Sequence, residues 1–98
     1  MTRQVIILVN DQPIELDYFV QGFVDHTIAG MLESLESTGK IKSADISIEG
    51  DGITIKVNEA VVPANPFVSK IVRNTIVGMI SSLKGVSGVN RANINIRR

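Results

Sequence analysis

The chain contains no cysteine, which removes disulfides, thiolate nucleophiles and cysteine-ligated metals together. Its one histidine is His26, and a lone imidazole with neither cysteine nor a second imidazole near it is a poor metal site. No metal ligand set is assigned, and His26 reads as an outward helix residue. Aromatics are scarce, three Phe and one Tyr in 98 residues. Phe19 and Phe67 fall on amphipathic segments and are expected to be taken up by helix packing, so stacking platforms for bases are missing. No Walker or GxGxxG pattern occurs and Gly50-Asp51-Gly52 reads as a hairpin turn, so no nucleotide and no other cofactor is implied. The first apolar run, Val5 to Val9, is too short for a signal sequence or a membrane span, and the expected location is the cytoplasm.

What is present is ordinary globular material. With 98 residues, 44% apolar and 20% charged, the chain is read as a single domain over 1–98 that buries one core. The net charge of zero hides a division. Residues 1–49 hold three cations against eight acids, a charge of −5, whereas 50–98 hold seven cations against two acids, a charge of +5. Such asymmetry can mark a basic face for an anionic partner; in a chain built from two similar halves it also arises as the halves diverge while complementing each other.

The halves are indeed similar. Val5 to Ile48 aligns without a gap on Ile53 to Ile96 at an offset of 48 positions, with 15 identities in 44 pairs. The best matched stretch is Phe19 to Leu35, FVQGFVDHTIAGMLESL, against Phe67 to Leu83, FVSKIVRNTIVGMISSL. Two copies are too few for a solenoid, whose repeats generally number three or more. Two repeats, about 5–48 and 53–96, folded into one pseudo-symmetric domain fit better.

Each copy opens with a strand. Ile53, Ile55 and Val57 alternate with Thr54 and Lys56, the period of a half-buried strand. Carried to the first copy, that phase puts Val5, Ile7 and Val9 inward and leaves Ile6 and Leu8 on the wet face, where two aliphatics make a candidate partner surface. Turns are expected at Asn10-Asp11-Gln12-Pro13 and at Asn58-Glu59, followed by short return strands over Ile14 to Leu16 and Val61 to Val62. Asp17 and Asn65 are N-cap types and Pro66 suits a first helical position. Apolar residues at 20, 24, 28, 31 and 35 make one stripe. Asp25, Glu33 and Glu36 are placed outward, at the positions of Arg73, Ser81 and Lys84. Gly39 is expected to end the first helix, and Gly85 and Gly88 to flank the end of the second.

Beside the stripe runs a seam of Thr27, Gly30 and Ser34, repeated as Thr75, Gly78 and Ser82. A helical glycine costs roughly 0.5–1 kcal/mol against alanine, and the expected compensation is a close crossing of the two helices at Gly30 and Gly78. Each copy closes with a strand, Ala44 to Ile48 and Ala92 to Ile96. A hairpin turning at Gly50-Asp51 would face Asp45 with Lys56 and Ser47 with Thr54. By equivalence the last strand pairs with the first. The fold class is therefore α+β: a duplicated ββαβ unit forming a two-layer sandwich, with a mostly antiparallel six-stranded sheet in the order 2-1-6-3-4-5 and both helices on one face.

Chemistry is thin. Glu15 and Asp17 could form an acid and base pair, but Asp17 serves as a cap, Glu15 as an exposed strand residue, and their counterparts are Pro63 and Asn65. Ser34 and Ser82 have no histidine at matching spacing to activate them. No catalytic residue is assigned. The run FV-x3-V-x2-TI-x-GM-x2-SL, preceded by VN-[DE], resembles an element of small prokaryotic proteins and of C-terminal appendages on some molybdopterin-guanine dinucleotide biosynthesis proteins. It covers most of each copy. The shared residues are packing and capping residues, so the resemblance implies an accessory or interaction module and transfers no catalytic role; the nucleotide-binding loop of such proteins is absent here. The leading reading is a non-enzymatic protein-interaction module, with Ile6 and Leu8 as candidate contacts and self-association as an option. The alternative is a weak anion or nucleic-acid binder using Lys70, Arg73, Lys84, Arg91, Arg97 and Arg98, with nucleic acid disfavoured and no membrane partner. A site completed between subunits is a third.

Overall fold

The computed structural model describes residues 4–35 and 40–98; the expected helix stop at Gly39 and the outward placement of Glu36 lie outside them. In chain order the elements are β1 (Gln4–Val9), β2 (Gln12–Pro13), α1 (Tyr18–Leu35), β3 (Ser43–Glu49), β4 (Gly52–Val57), β5 (Ala60–Val61), α2 (Pro66–Ser81) and β6 (Arg91–Arg97). All strands form one sheet in the order β2-β1-β6-β3-β4-β5, with every pairing antiparallel.

Local chemistry explains the pairings. Asn10 and Asp11 have φ of 50° and 67°, and Asn58 and Glu59 have 51° and 70°, the left-handed pair that a two-residue hairpin turn needs. The return strands are consequently displaced from the expected ones: β2 is Gln12–Pro13, inside the expected turn and ahead of Ile14 to Leu16, and β5 is Ala60–Val61 in place of Val61 to Val62, with Val9 opposite Gln12 and Val57 opposite Ala60. Ile14 and Val62 still donate backbone N–H groups to Ile7 and Ile55. The central hairpin turns at Gly50-Asp51 with Glu49 opposite Gly52, which places Asp45 opposite Lys56 and Ser47 opposite Thr54.

Helix starts are capped by side chains. Asp17 Oδ1 accepts from Val20 N at 2.8 Å and Asn65 Oδ1 from Val68 N at 2.8 Å, with Pro66 at the start of α2. One face of the sheet contributes Val5, Ile7, Val9, Ala44, Ile46, Ile48, Ile55, Val57, Ala92, Ile94 and Ile96 to the core, and the helices cover it with Val24, Ile28, Ala29, Leu32, Val72, Ile76 and Ile80. The Cα envelope is 35 × 34 × 18 Å, which leaves room for one helical layer on one sheet.

The strand order reads the same from both edges once β1, β2 and β3 are matched with β4, β5 and β6. The layer therefore has an approximate two-fold axis between β6 and β3. That axis reverses helix direction, so α1 and α2 run antiparallel, α1 packed against β1 and α2 against β4.

Two expectations about the helices are corrected. The buried stripe of α1 is rotated from the expected one: Val24 and Ile28 are buried with Asp25, Ala29 and Leu32, while Val20, Met31 and Leu35 are half-buried at its edge. The crossing at Gly30 and Gly78 does not occur, since a Cβ built on either glycine meets no atom within 4 Å. The reason is width. Six strands at about 4.8 Å span nearly 30 Å, and two helices about 10 Å across cover both halves of that sheet without coming together. With open space at both positions, Gly30→Ala and Gly78→Ala are each expected to raise the unfolding free energy by about 0.5–1 kcal/mol. Urea titration reads this directly, and a lower midpoint in either variant contradicts it.

Candidate functional site

The surface that distinguishes the molecule is the outer side of the helical layer. Phe19, Phe23, Phe67 and Ile71 stand there 73%, 53%, 71% and 50% exposed. This overturns the expectation that Phe19 and Phe67 are consumed by packing. The sequence cause is that Phe19 and Phe23 continue the seam of Thr27, Gly30 and Ser34, a row one residue earlier than the apolar stripe at 20, 24, 28, 31 and 35, as Phe67 and Ile71 continue that of Thr75, Gly78 and Ser82. A helix lying on a flat sheet buries one stripe and tilts the other outward.

Between the helices the same surface dips into an apolar groove of about 420 Å3, walled by Phe19, Phe23 and Thr27 of α1 and by Thr75, Met79 and Leu83 on the α2 side. Thr75 Oγ1 donates to Ile71 O at 2.7 Å, Ser34 Oγ to Gly30 O at 2.9 Å and Ser82 Oγ to Gly78 O at 3.1 Å. The hydroxyls of Thr75 and Ser82, which line the groove, are thereby satisfied by their own helix, and the rest of the lining is rings and aliphatic chains with Thr27. Phe19 and Phe23 rings lie 6.2 Å apart, within the range of favourable aromatic pairs.

A second concavity, about 680 Å3, has Asp25, His26, Glu33, Lys40, Lys42 and Arg98 on its walls. Asp25 is buried, contrary to its expected outward place, and Arg98 contacts its Oδ1 through Nη2 at 2.9 Å and Nε at 3.1 Å. The corresponding place in the other half holds the reverse: Arg73, at the position equivalent to Asp25, reaches down to Gly50 O at 2.7 Å through Nε. The helix-to-strand-end contact is thus kept in both halves with the cation moved from strand to helix.

The outer sheet face is polar. Its cross-strand rows are Ile6, Asn95, Asp45, Lys56 and Leu8, Asn93, Ser47, Thr54. Ile6 is 43% exposed and Leu8 half-buried, so these two do share the wet face expected of them, as neighbours on one edge of a hydrophilic surface. Ser47 Oγ lies 3.0 Å from Asn93 Oδ1 in a hydrogen bond.

The six basic residues do not converge. Arg91 pairs with Asp11 at 2.8 Å beside the first hairpin turn. Arg97 Nη1 lies 3.0 Å from Asp45 Oδ1 on the outer sheet face, a contact that is ionic and off-line for a hydrogen bond. Arg98 is held by Asp25 and Arg73 by Gly50 O and Asn74 Oδ1. Lys70 on α2 and Lys84 just beyond it are exposed.

Among the described residues no group of three or more His, Asp or Glu is placed to hold a metal ion, and no helix is long and apolar enough to cross a membrane. No family model, no curated protein and no solved structure matches this chain.

Proposed function

We propose that this protein is a non-enzymatic interaction module that docks onto other protein surface through the outer face of its helical layer. The observation that carries this reading is the exposure of Phe19, Phe23, Phe67 and Ile71 on one face, at 73%, 53%, 71% and 50%. Contiguous exposed apolar surface of that kind marks contact sites, and aromatic side chains are the usual anchors of protein interfaces. The sheet-face pair Ile6 and Leu8 is a smaller, secondary contact. The resemblance of the repeated motif to an appendage of larger biosynthesis proteins fits an accessory role. Anion binding through the basic half is the weaker reading, because Arg91, Arg97 and Arg98 each face a carboxylate, which offsets the charge that a phosphate would recognise.

The test is co-purification from the native source with tagged chain, comparing wild type, Phe19→Ser/Phe67→Ser and Ile6→Lys/Leu8→Thr. Both variants alter exposed or half-exposed residues and should melt within about 2 °C of wild type. The helix-face variant is expected to lose the bound material, untagged copies of the chain included, and the sheet-face variant to lose a smaller part. An unchanged set of co-purifying proteins in both variants rules the reading out.

A further inference from the structure

We infer that the occupant of the helical face is a second copy of this chain, with α1 of each copy lying along α2 of the other; the inference rests on the interaction-module reading above and names its partner.

Three observations point to self-pairing. The first is area. At roughly 200 Å2 for a whole aromatic side chain, Phe19, Phe23, Phe67 and the half-exposed Ile71 offer on the order of 450–500 Å2 of apolar surface. A standard interface takes about 800 Å2 from each partner, about 60% of it apolar. The exposed helical face matches that apolar share.

The second is shape. The groove is lined by positions between 19 and 27 on α1 and between 75 and 83 on the α2 side, so positions at one level along the two antiparallel helices sum to about 102. A copy turned over about an axis parallel to the helices keeps those levels while setting α1 on the partner's α2. Phe19 then lies at the level of the partner's Ser82 and Leu83, Phe23 at that of the partner's Gly78 and Met79, and by symmetry Phe67 at that of the partner's Ser34 and Leu35 and Ile71 at that of the partner's Gly30 and Met31. Each exposed large residue thus has a small residue beside an apolar one opposite it. Both glycines are open at Cβ, with nothing within 4 Å, so each leaves room for the facing ring or branched chain.

The third is charge. An axis perpendicular to the helices would match large with small equally well, but it would lay α1 on the partner's α1. α1 carries Asp25 and Glu33 and no Lys or Arg, whereas α2 carries Lys70 and Arg73 and no Asp or Glu. Setting α1 on the partner's α2 puts the exposed Glu33 at the level of the partner's exposed Lys70, twice in one isologous interface. The other arrangement sets the acidic helix on its own copy and the basic helix on its own copy. Electrostatics therefore chooses between two sterically equivalent dimers, and the opposite charge of the two halves acquires a role.

Sedimentation equilibrium of the purified full chain tests this without any other protein present. Wild type is expected as a dimer at micromolar concentration. Phe19→Ser/Phe67→Ser removes four aromatic anchors per dimer and should weaken association by about 100-fold or more. Glu33→Lys and Lys70→Glu alone should each weaken it by about tenfold, and the two together should restore wild-type association. A wild-type chain that stays monomeric to about 200 μM overturns the inference; if the same Phe variant still abolishes co-purification, the interaction-module reading survives with a different partner. A dimer that persists in the Phe variant, or single charge reversals without rescue in the double swap, overturns it as well.

Discussion

Asn10→Ala is expected to lower the unfolding free energy by about 2–3 kcal/mol, and Asn58→Ala by the same amount. Each asparagine ties its hairpin turn to a loop far away in the chain. Asn10 donates Nδ2–H to Gly88 O at 2.7 Å and its Oδ1 accepts from Asn90 N at 2.8 Å and Arg91 N at 2.9 Å. Asn58 does the same for the segment before β3, donating to Lys40 O at 3.0 Å and accepting from Lys42 N at 2.8 Å and Ser43 N at 3.1 Å. Three bonds at a net value of about 1 kcal/mol each are partly offset by water that replaces them at these exposed sites. A further few tenths come from the backbone, because φ of 50° and 51° suits asparagine better than alanine. The two clasps share no partner and should add. The double variant would then lose about 5 kcal/mol, a large part of the 5–15 kcal/mol available to a domain. Asn10→Asp separates the contributions: it keeps the acceptor and loses the donor to Gly88 O, so its midpoint should fall between wild type and Asn10→Ala. Chemical denaturation measures all four variants against wild type, and a single alanine variant within about 0.5 kcal/mol of wild type would falsify the clasp.

Arg98→Ala is expected to cost about 2 kcal/mol, with a fall in melting temperature on the order of 10 °C. The carboxylate of Asp25 is the reason. Its side chain is 2% exposed, against 29% for Arg98, so truncating the arginine takes two guanidinium contacts from a buried carboxylate. The full penalty for breaking a buried pair, about 3–5 kcal/mol, is discounted here because the arginine end is partly solvated. The reverse substitution, Asp25→Ala, leaves a guanidinium that can reach solvent and should cost less, about 1 kcal/mol. That ordering is the discriminating result. If Asp25→Ala proves the more damaging of the two, the pair is not held together by the burial of the acid. The double substitution Asp25→Asn/Arg98→Met should recover most of the loss, since an uncharged pair needs no counterion.

Some of these features can be read directly from residues. Alternation through Ile53, Ile55 and Val57 assigns the strand face, the φ > 0 tolerance of Asn and Gly places the tight turns, and Asp17, Asn65 and Pro66 mark helix starts. Because the two halves align without a gap, the pairing expected for one central hairpin extends to the other, and the observed sheet follows that order. Asn10 and Asn58 are legible only as turn residues. Their side-chain partners lie 78 to 81 and 15 to 18 positions away, and nothing in a local pattern indicates such distances.

The helices show where local reading ends. Strand sides alternate between two faces, so one phase settles every residue. A helix offers a full turn of directions, and the apolar stripe is bordered on one side by Phe19 and Phe23 in α1 and by Phe67 and Ile71 in α2, and on the other side of α1 by Asp25, Ala29 and Leu32. Which side is buried depends on how two helices spread over a sheet wider than both, and that spacing exists only in the folded layer. It turned Asp25 inward against Arg98, left Gly30 and Gly78 open, and put Phe19 and Phe67 on the surface. The amino-acid sequence alone determined the four long strands, the strand order, the two residues at the tip of each tight turn and the helix starts, because each follows from alternation, backbone dihedral preference or a three-residue hydrogen bond. Only the tertiary structure decided which helix face meets water, because that is a matter of width and coverage between layers.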